Sequence, residues 1–288
     1  MISLENEFIK ASFTSKGAEL QQLLNAKNGE NYLWSGNPDF WGKFSPILFP
    51  IVGGLKENSY SYNGINYNLS RHGFARDNDF TVEQQTATEL LFVLSDNSAT
   101  REVYPFNFKL GVRYTLGNAT LSCRYEVLNT DDKELLFSIG GHPAFAINTA
   151  AGLSYSDYFF QFNKDNAIEY HEIKNDLISN NTNVLDLKDG RLALQHELFY
   201  NDALVFKTLQ SDKITLGNVK NSNSLEFEFH DFPYFGIWAA KNADFVCLEP
   251  WCGIADVEGH DQVLENKEGI VKLASKECFS RSWSVTIV

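Results

Sequence analysis

Three short segments of this chain carry side chains able to move protons: Arg71-His72-Gly73-Phe74-Ala75-Arg76, Gly140-Gly141-His142-Pro143 and Leu248-Glu249-Pro250-Trp251. Each sets a proton carrier beside a glycine or proline, at the end of an apolar, strand-like run. Two histidines and a glutamate on constrained backbone are suited to general acid–base chemistry on a neutral molecule. His142 is bracketed by two glycines and a proline, costly choices in a strand, which predicts a bulge or sharp bend that aims the ring. Glu249 closes the apolar run from Phe245 to Leu248. A carboxylate there needs dedicated partners or carries a raised pKa, and a raised pKa makes it a better base near neutrality. His72, next to a glycine that permits close backbone approach, suits a neutral donor to a ligand oxygen. The competing readings are structural histidines at strand ends and a Glu249 that merely pairs with an arginine such as Arg281.

Metal binding is the rival use of the same trio. The three residues are widely separated, no HxH or HExxH spacing occurs, and nothing in the pattern favours a metal. His171, His196, His230 and His260 have no comparable context and read as surface or packing residues. There is no nucleophile elbow, P-loop or dinucleotide fingerprint, so no cofactor is expected. Gly53-Gly54 reads as a turn or bulge.

The elements that must position these residues have period two. Leu121, Cys123, Tyr125 and Val127 share one face of Thr120–Val127; Leu225, Phe227 and Phe229 alternate with glutamates; Trp283, Val285 and Ile287 alternate with Ser and Thr. Each pattern describes a half-buried strand. Asn63-Gly64 predicts a two-residue type I′ hairpin turn that pairs Tyr62 with Ile65 and Tyr60 with Tyr67. Helix signals are sparse: Asn37-Pro38-Asp39-Phe40-Trp41 predicts a short helix capped by Asn37, and Glu197 to Asn201 another turn. The Asn-rich stretch 175–183 reads as a long surface loop. Residues 1–288 therefore read as one continuous antiparallel β domain, with many strands stacked as two large sheets.

Composition narrows the partners. The chain has 43% hydrophobic and 21% charged residues, a globular composition. Aromatics make up 14%, which suits a sheet-rich core with some rings left to line a sugar site. A net charge of −13 without a basic run argues against nucleic acid and acidic membrane surfaces. A neutral small molecule fits, whereas a phosphorylated one needs a local basic pocket. None of the four cysteines forms a CxxC pair, and Cys123 and Cys247 read as small hydrophobes within strands. With no N-terminal signal and no long apolar run, the expected location is the cytoplasm.

The chain resembles the aldose 1-epimerase (galactose mutarotase) family, in particular its bacterial aldose 1-epimerase-like branch. The resemblance rests on Ser45-Pro46-Ile47-Leu48-Phe49-Pro50, Arg71 to Arg76, Gly141-His142-Pro143, Asn201 to Phe206 and Leu248 to Trp251, in the family's order. It implies a large antiparallel β-sandwich with the site on one concave sheet. It also implies exchange of α and β anomers of a free sugar, without metal or nucleotide. Carried over, Glu249 is the base at the C1 hydroxyl and His142 the acid at the ring oxygen. His72 holds one of these oxygens, and Asp202 binds ring hydroxyls. The family arginine that follows the Phe-Pro segment corresponds to Gly54 here, so Lys56, Arg71 or Arg76 must take its place if the role survives. The alternatives are a sugar-binding protein without catalysis, a hexose 6-phosphate epimerase, and a glycoside hydrolase using Glu249 with Asp202.

Overall fold

The alternating segments pair into two large antiparallel sheets. The computed structural model describes residues 1–149 and 152–288. The first sheet has nine strands, and its centre is Leu225–Glu228, Cys278–Ile287, Thr120–Asn129 and Phe108–Gly117. The second has eight. It runs Leu177–Asp186, Ala167–Lys174, Leu204–Phe206, Tyr234–Trp238, Phe245–Cys252, Ile139–Gly141 and Ile47–Leu48, with Ala144–Ala146 also on Phe245–Cys252. Their inner faces share one core. Phe227 of the first sheet meets Phe145 and Phe235 of the second at ring-centroid distances of 5.7 and 6.2 Å. The fold is thus a large antiparallel β-sandwich. Among the described residues helix is limited to Ser98–Val103, capped by Asn97, and a few 3₁₀ turns, and no helix is long and apolar enough to cross a membrane.

The Asn63-Gly64 hairpin has the expected register, Tyr62 opposite Ile65 and Tyr60 opposite Tyr67, with both turn residues at positive φ. Three other local expectations give way. Residues 37–41 make a single turn instead of a helix: Asn37 O accepts from Phe40 N and Trp41 N, and Asn37 Oδ1 accepts from Asp39 N. Asn-Pro suits either outcome, and no apolar helical face follows to extend the turn. The stretch 175–183 is not a loop. Asn175 and Asp176 are the tip of a hairpin joining Ala167–Lys174 to Leu177–Asp186, at φ 51° and 65°, where Asn and Asp are tolerated. No bulge interrupts the ladder around His142. Gly140 pairs with Trp251 before it and Ala144 with Cys247 after it, in one unbroken register.

Strand Phe245–Cys252 is buried along its whole length because both of its faces are covered. Val246, Leu248 and Cys252 point into the shared core, whereas Phe245, Cys247 and Trp251 belong to smaller clusters on the opposite face. That opposite face carries the cavity.

Candidate active site

The shared register brings His142 and Glu249 together. With Gly140 opposite Trp251 and Ala144 opposite Cys247, His142 falls directly across from Glu249. Directly opposed residues have Cβ atoms about 4.5–5.5 Å apart, within reach of both side chains. His142 Nε2 lies 3.3 Å from Glu249 Oε2, and both residues are buried. Glycine pairs this geometry with close packing. A Cβ on Gly140 would stand 2.6 Å from the Trp251 ring, and one on Gly236, the residue opposite Glu249 on its other side, would stand 2.4 Å from it. The two glycines open a slot for the indole beside the carboxylate. A Cβ on Gly141 would meet Tyr125 Oη at 2.6 Å, on the core side.

His72 is held by its backbone. It adopts φ 69°, uncommon for a residue with a Cβ, and its N–H donates to Gly53 O at 2.9 Å. In return Gly53 N–H donates to His72 Nδ1 at 3.1 Å. Gly73 also needs its missing side chain, since a Cβ there would lie 2.3 Å from Phe49 O. The Arg71 Nε donor lies 3.1 Å from His72 Nε2. A neutral imidazole accepts at one nitrogen only. The peptide N–H is fixed in direction, so Nδ1 takes it and Nε2 carries the ring proton. Two donors then face each other on the cavity wall, an arrangement relieved by an oxygen acceptor. Burial, reinforced by Arg71, pushes His72 well below the ordinary histidine range, which keeps it neutral.

All six residues singled out in the sequence, Arg71, His72, Arg76, His142, Asp202 and Glu249, line one cavity of about 290 Å³. Arg71 pairs with Asp176 and lies 3.8 Å from Asp202, while Arg76 Nη2 donates to Arg71 O. A Cβ on Gly54 would sit 2.7 Å from Asp176 O, so the hairpin tip occupies the place of any side chain at position 54. Arg71 and Arg76 bring guanidinium groups to the cavity instead. Lys56 is turned away, its Nζ donating to His260 O. Arg281 contributes no partner to Glu249, whose nearest ion-pair partner is His142.

The sequence left some rings for the site without identifying which. Trp41 stacks on His142 at 4.9 Å and 28°, and Trp238 meets the same ring edge-on at 5.6 Å. Five tryptophans in an acidic chain were a signal, but only pairing shows which of them share a face. Asp176 was missed with its hairpin.

Burial sets the protonation of the central pair. It raises Glu249 well above the ordinary carboxylate range, against the opposing pull of Arg71, and lowers His142 to about 3, with Arg71 adding to the effect. The low-dielectric surroundings thus favour one shared proton, resting on the carboxyl beside a neutral imidazole. The Trp251 N–H opposes this by favouring the carboxylate.

A family model described as aldose 1-epimerase matches residues 1–261. The chain is 30% identical to the Lactococcus lactis subsp. lactis protein LacX, chromosomal, covering 100% of this chain and 99% of that protein. A solved galactose mutarotase related enzyme from Lactobacillus acidophilus superimposes with a TM-score of 0.96 at 37% identity, covering 100% of this chain and 97% of that one. A galactose mutarotase-like protein from Lactobacillus casei ATCC 334 gives 0.92 at 31% identity, with all of both chains covered.

Proposed function

Because the chain belongs to the aldose 1-epimerase family, we propose that it interconverts the α and β anomers of a free aldohexose by opening and reclosing the ring across the His142–Glu249 pair. The observation that carries this reading is the 3.3 Å approach of an imidazole and a carboxyl group on a cavity wall. Glu249 takes the proton of the C1 hydroxyl while His142 gives one to the ring oxygen. The ring opens to the aldehyde, C1 turns about the C1–C2 bond, and closure reverses both transfers. No metal or nucleotide takes part.

The proton count supports this cycle. The proton resting on Glu249 first passes across the 3.3 Å gap to His142; opening then starts from a carboxylate and an imidazolium and ends with a carboxylic acid and a neutral imidazole. Net charge is unchanged. The second state is also the resting one that burial favours, so the transfer within the pair that precedes opening is uphill and the opening step recovers that cost. His72 Nε2–H and Arg71 Nε–H converge on one place, fit to hold a sugar oxygen. Asp202 supplies an acceptor for ring hydroxyls, Arg76 backs Arg71, and Trp41 offers a flat face to ring C–H groups.

The test is magnetisation-exchange NMR on glucose and galactose. Wild-type protein speeds α–β exchange, and Glu249→Gln and His142→Asn each lower the rate by at least about 100-fold, the usual worth of a positioned proton carrier. Full activity in either variant refutes the role given to that residue. A hexose 6-phosphate substrate is favoured by the two guanidinium groups on the cavity wall. Asp176 and Asp202 beside Arg71, and Asp77 3.7 Å from Arg76, offset that charge. Glucose is therefore expected to exchange faster than glucose 6-phosphate in the same measurement.

A further inference from the structure

The acid–base pair has a third ligand beneath it that the proposed reaction leaves idle. Cys247 precedes Glu249 by two residues on the cavity-side face of its strand and stands opposite Ala144, two residues beyond His142. A His142 ring nitrogen, the Cys247 thiol and a Glu249 carboxylate oxygen lie within 4.8 Å of one another, and all three residues are buried. Among the described residues this is the one group of three such side chains with that spacing.

We propose that His142, Cys247 and Glu249 form a binding site for Zn²⁺ and similar borderline cations, and that its occupation shuts off the acid–base pair. One imidazole nitrogen, one thiolate and one carboxylate are donors that zinc accepts together. Zinc bonds of about 2.0–2.1 Å to N and O give a tetrahedral N···O edge of about 3.3–3.4 Å. The Nε2–Oε2 distance of 3.3 Å already matches it. Bonds of about 2.3 Å to sulfur call for S···N and S···O edges of about 3.5 Å. Rotation of the Cys247 side chain closes what remains. The thiol proton and the proton resting on the Glu249 carboxyl both pass to solvent as the zinc bonds form, so thiolate and carboxylate together cancel the charge of the ion. That neutrality suits a buried place. The fourth position opens toward the cavity for water. Mg²⁺ and Ca²⁺, which take oxygen ligands, fit poorly. A bound ion engages the imidazole and the carboxylate at once, so neither can exchange a proton with a sugar.

Binding stands apart from the mutarotase reading; only the shut-off rests on it. The test adds Co²⁺ alone to the full chain, without sugar. One equivalent is expected to give the near-ultraviolet thiolate-to-cobalt band and the intense visible bands of tetrahedral Co²⁺, both erased by Zn²⁺. Cys278→Ser, which removes the exposed thiol, keeps the spectrum. Cys247→Ala and Cys247→Ser, each checked for folding by circular dichroism, lose the thiolate band and bind Zn²⁺ at least about 10-fold more weakly. Absence of the band in wild type, or its survival in both Cys247 variants, overturns the site. If wild-type protein speeds anomer exchange, Zn²⁺ should suppress it at lower concentration than in the Cys247 variants, each compared with its own metal-free rate. Equal sensitivity overturns the shut-off. Absence of exchange without metal sinks only the mutarotase reading, and the cobalt spectrum still decides the site.

Discussion

Burial of Glu249 works against folding. Its folded pKa lies well above the ordinary 4.5, so above pH 4.5 the folded protein must keep a proton that the unfolded chain gives up. The stability linked to this group is complete below pH 4.5 and drains away as pH climbs toward the folded value. Glu249→Gln removes the penalty while keeping the shape. The variant is expected to gain about 1–2 kcal/mol at pH 7 in urea unfolding, with a gain that widens as pH rises. The histidines act with the opposite sign. His142, held at about 3 against an ordinary 6.5, and His72, also lowered, favour folding above pH 6.5 and cease to do so as pH falls through that range. Acid should therefore unfold wild type sooner than a His142→Asn variant. The singly protonated pair persists between the His142 value of about 3 and the raised value of Glu249, so the anomer exchange rate should show no step at the ordinary histidine pKa of 6.5. A steep rise through that value, following an ordinary histidine titration, contradicts a shared proton.

At the scale of strands, the site is made by registers and by glycines that leave room. Gly236→Ala drives a methyl group into the Trp251 indole, which already lies 2.4 Å from that Cβ position, and should cost about 1–3 kcal/mol as judged by the urea midpoint. Restoring the family arginine should fail for a related reason. Gly54→Arg meets the backbone of Asp176, so it should lower the melting temperature without raising the exchange rate. These elements also mark what could be read in advance. His142, Glu249 and His72 stood out because each sits where local rules are broken, by Gly, Pro or a charge at the end of an apolar run. The Asn63-Gly64 hairpin was legible because turn chemistry and hydrophobic alternation agree. That His142 faces Glu249 was not, because strand partners far apart along the chain are chosen by the whole sheet. Trp41 was hidden in a turn whose Asn-Pro start serves a helix equally well. The Asn175-Asp176 hairpin was hidden by polar residues on an exposed edge, where no alternation survives.

Across the whole molecule, the cavity depends on supports outside it. Lys267 Nζ reaches Asp256 Oδ1 at 2.7 Å with both side chains buried, and Asp256 N donates to Gly54 O. This pair pins the segment carrying Ala255 to the Gly53-Gly54 turn that holds His72. Lys267→Ala removes the buried cation while the Lys56 N–H still donates to Asp256 Oδ2, and should cost about 1–3 kcal/mol, measured by urea unfolding. The sandwich itself follows from alternation, since Leu121, Cys123 and Tyr125 meet Trp283 and Val285 on the inward side. The common register of Gly140–Trp251 and Ala144–Cys247 has an evolutionary corollary. Adding or removing a single residue in either strand would swing one proton carrier from the hollow into the hydrophobic interior. Drift in length is thereby confined to hairpin tips and connections, and these two strands can change letters over time while keeping their count.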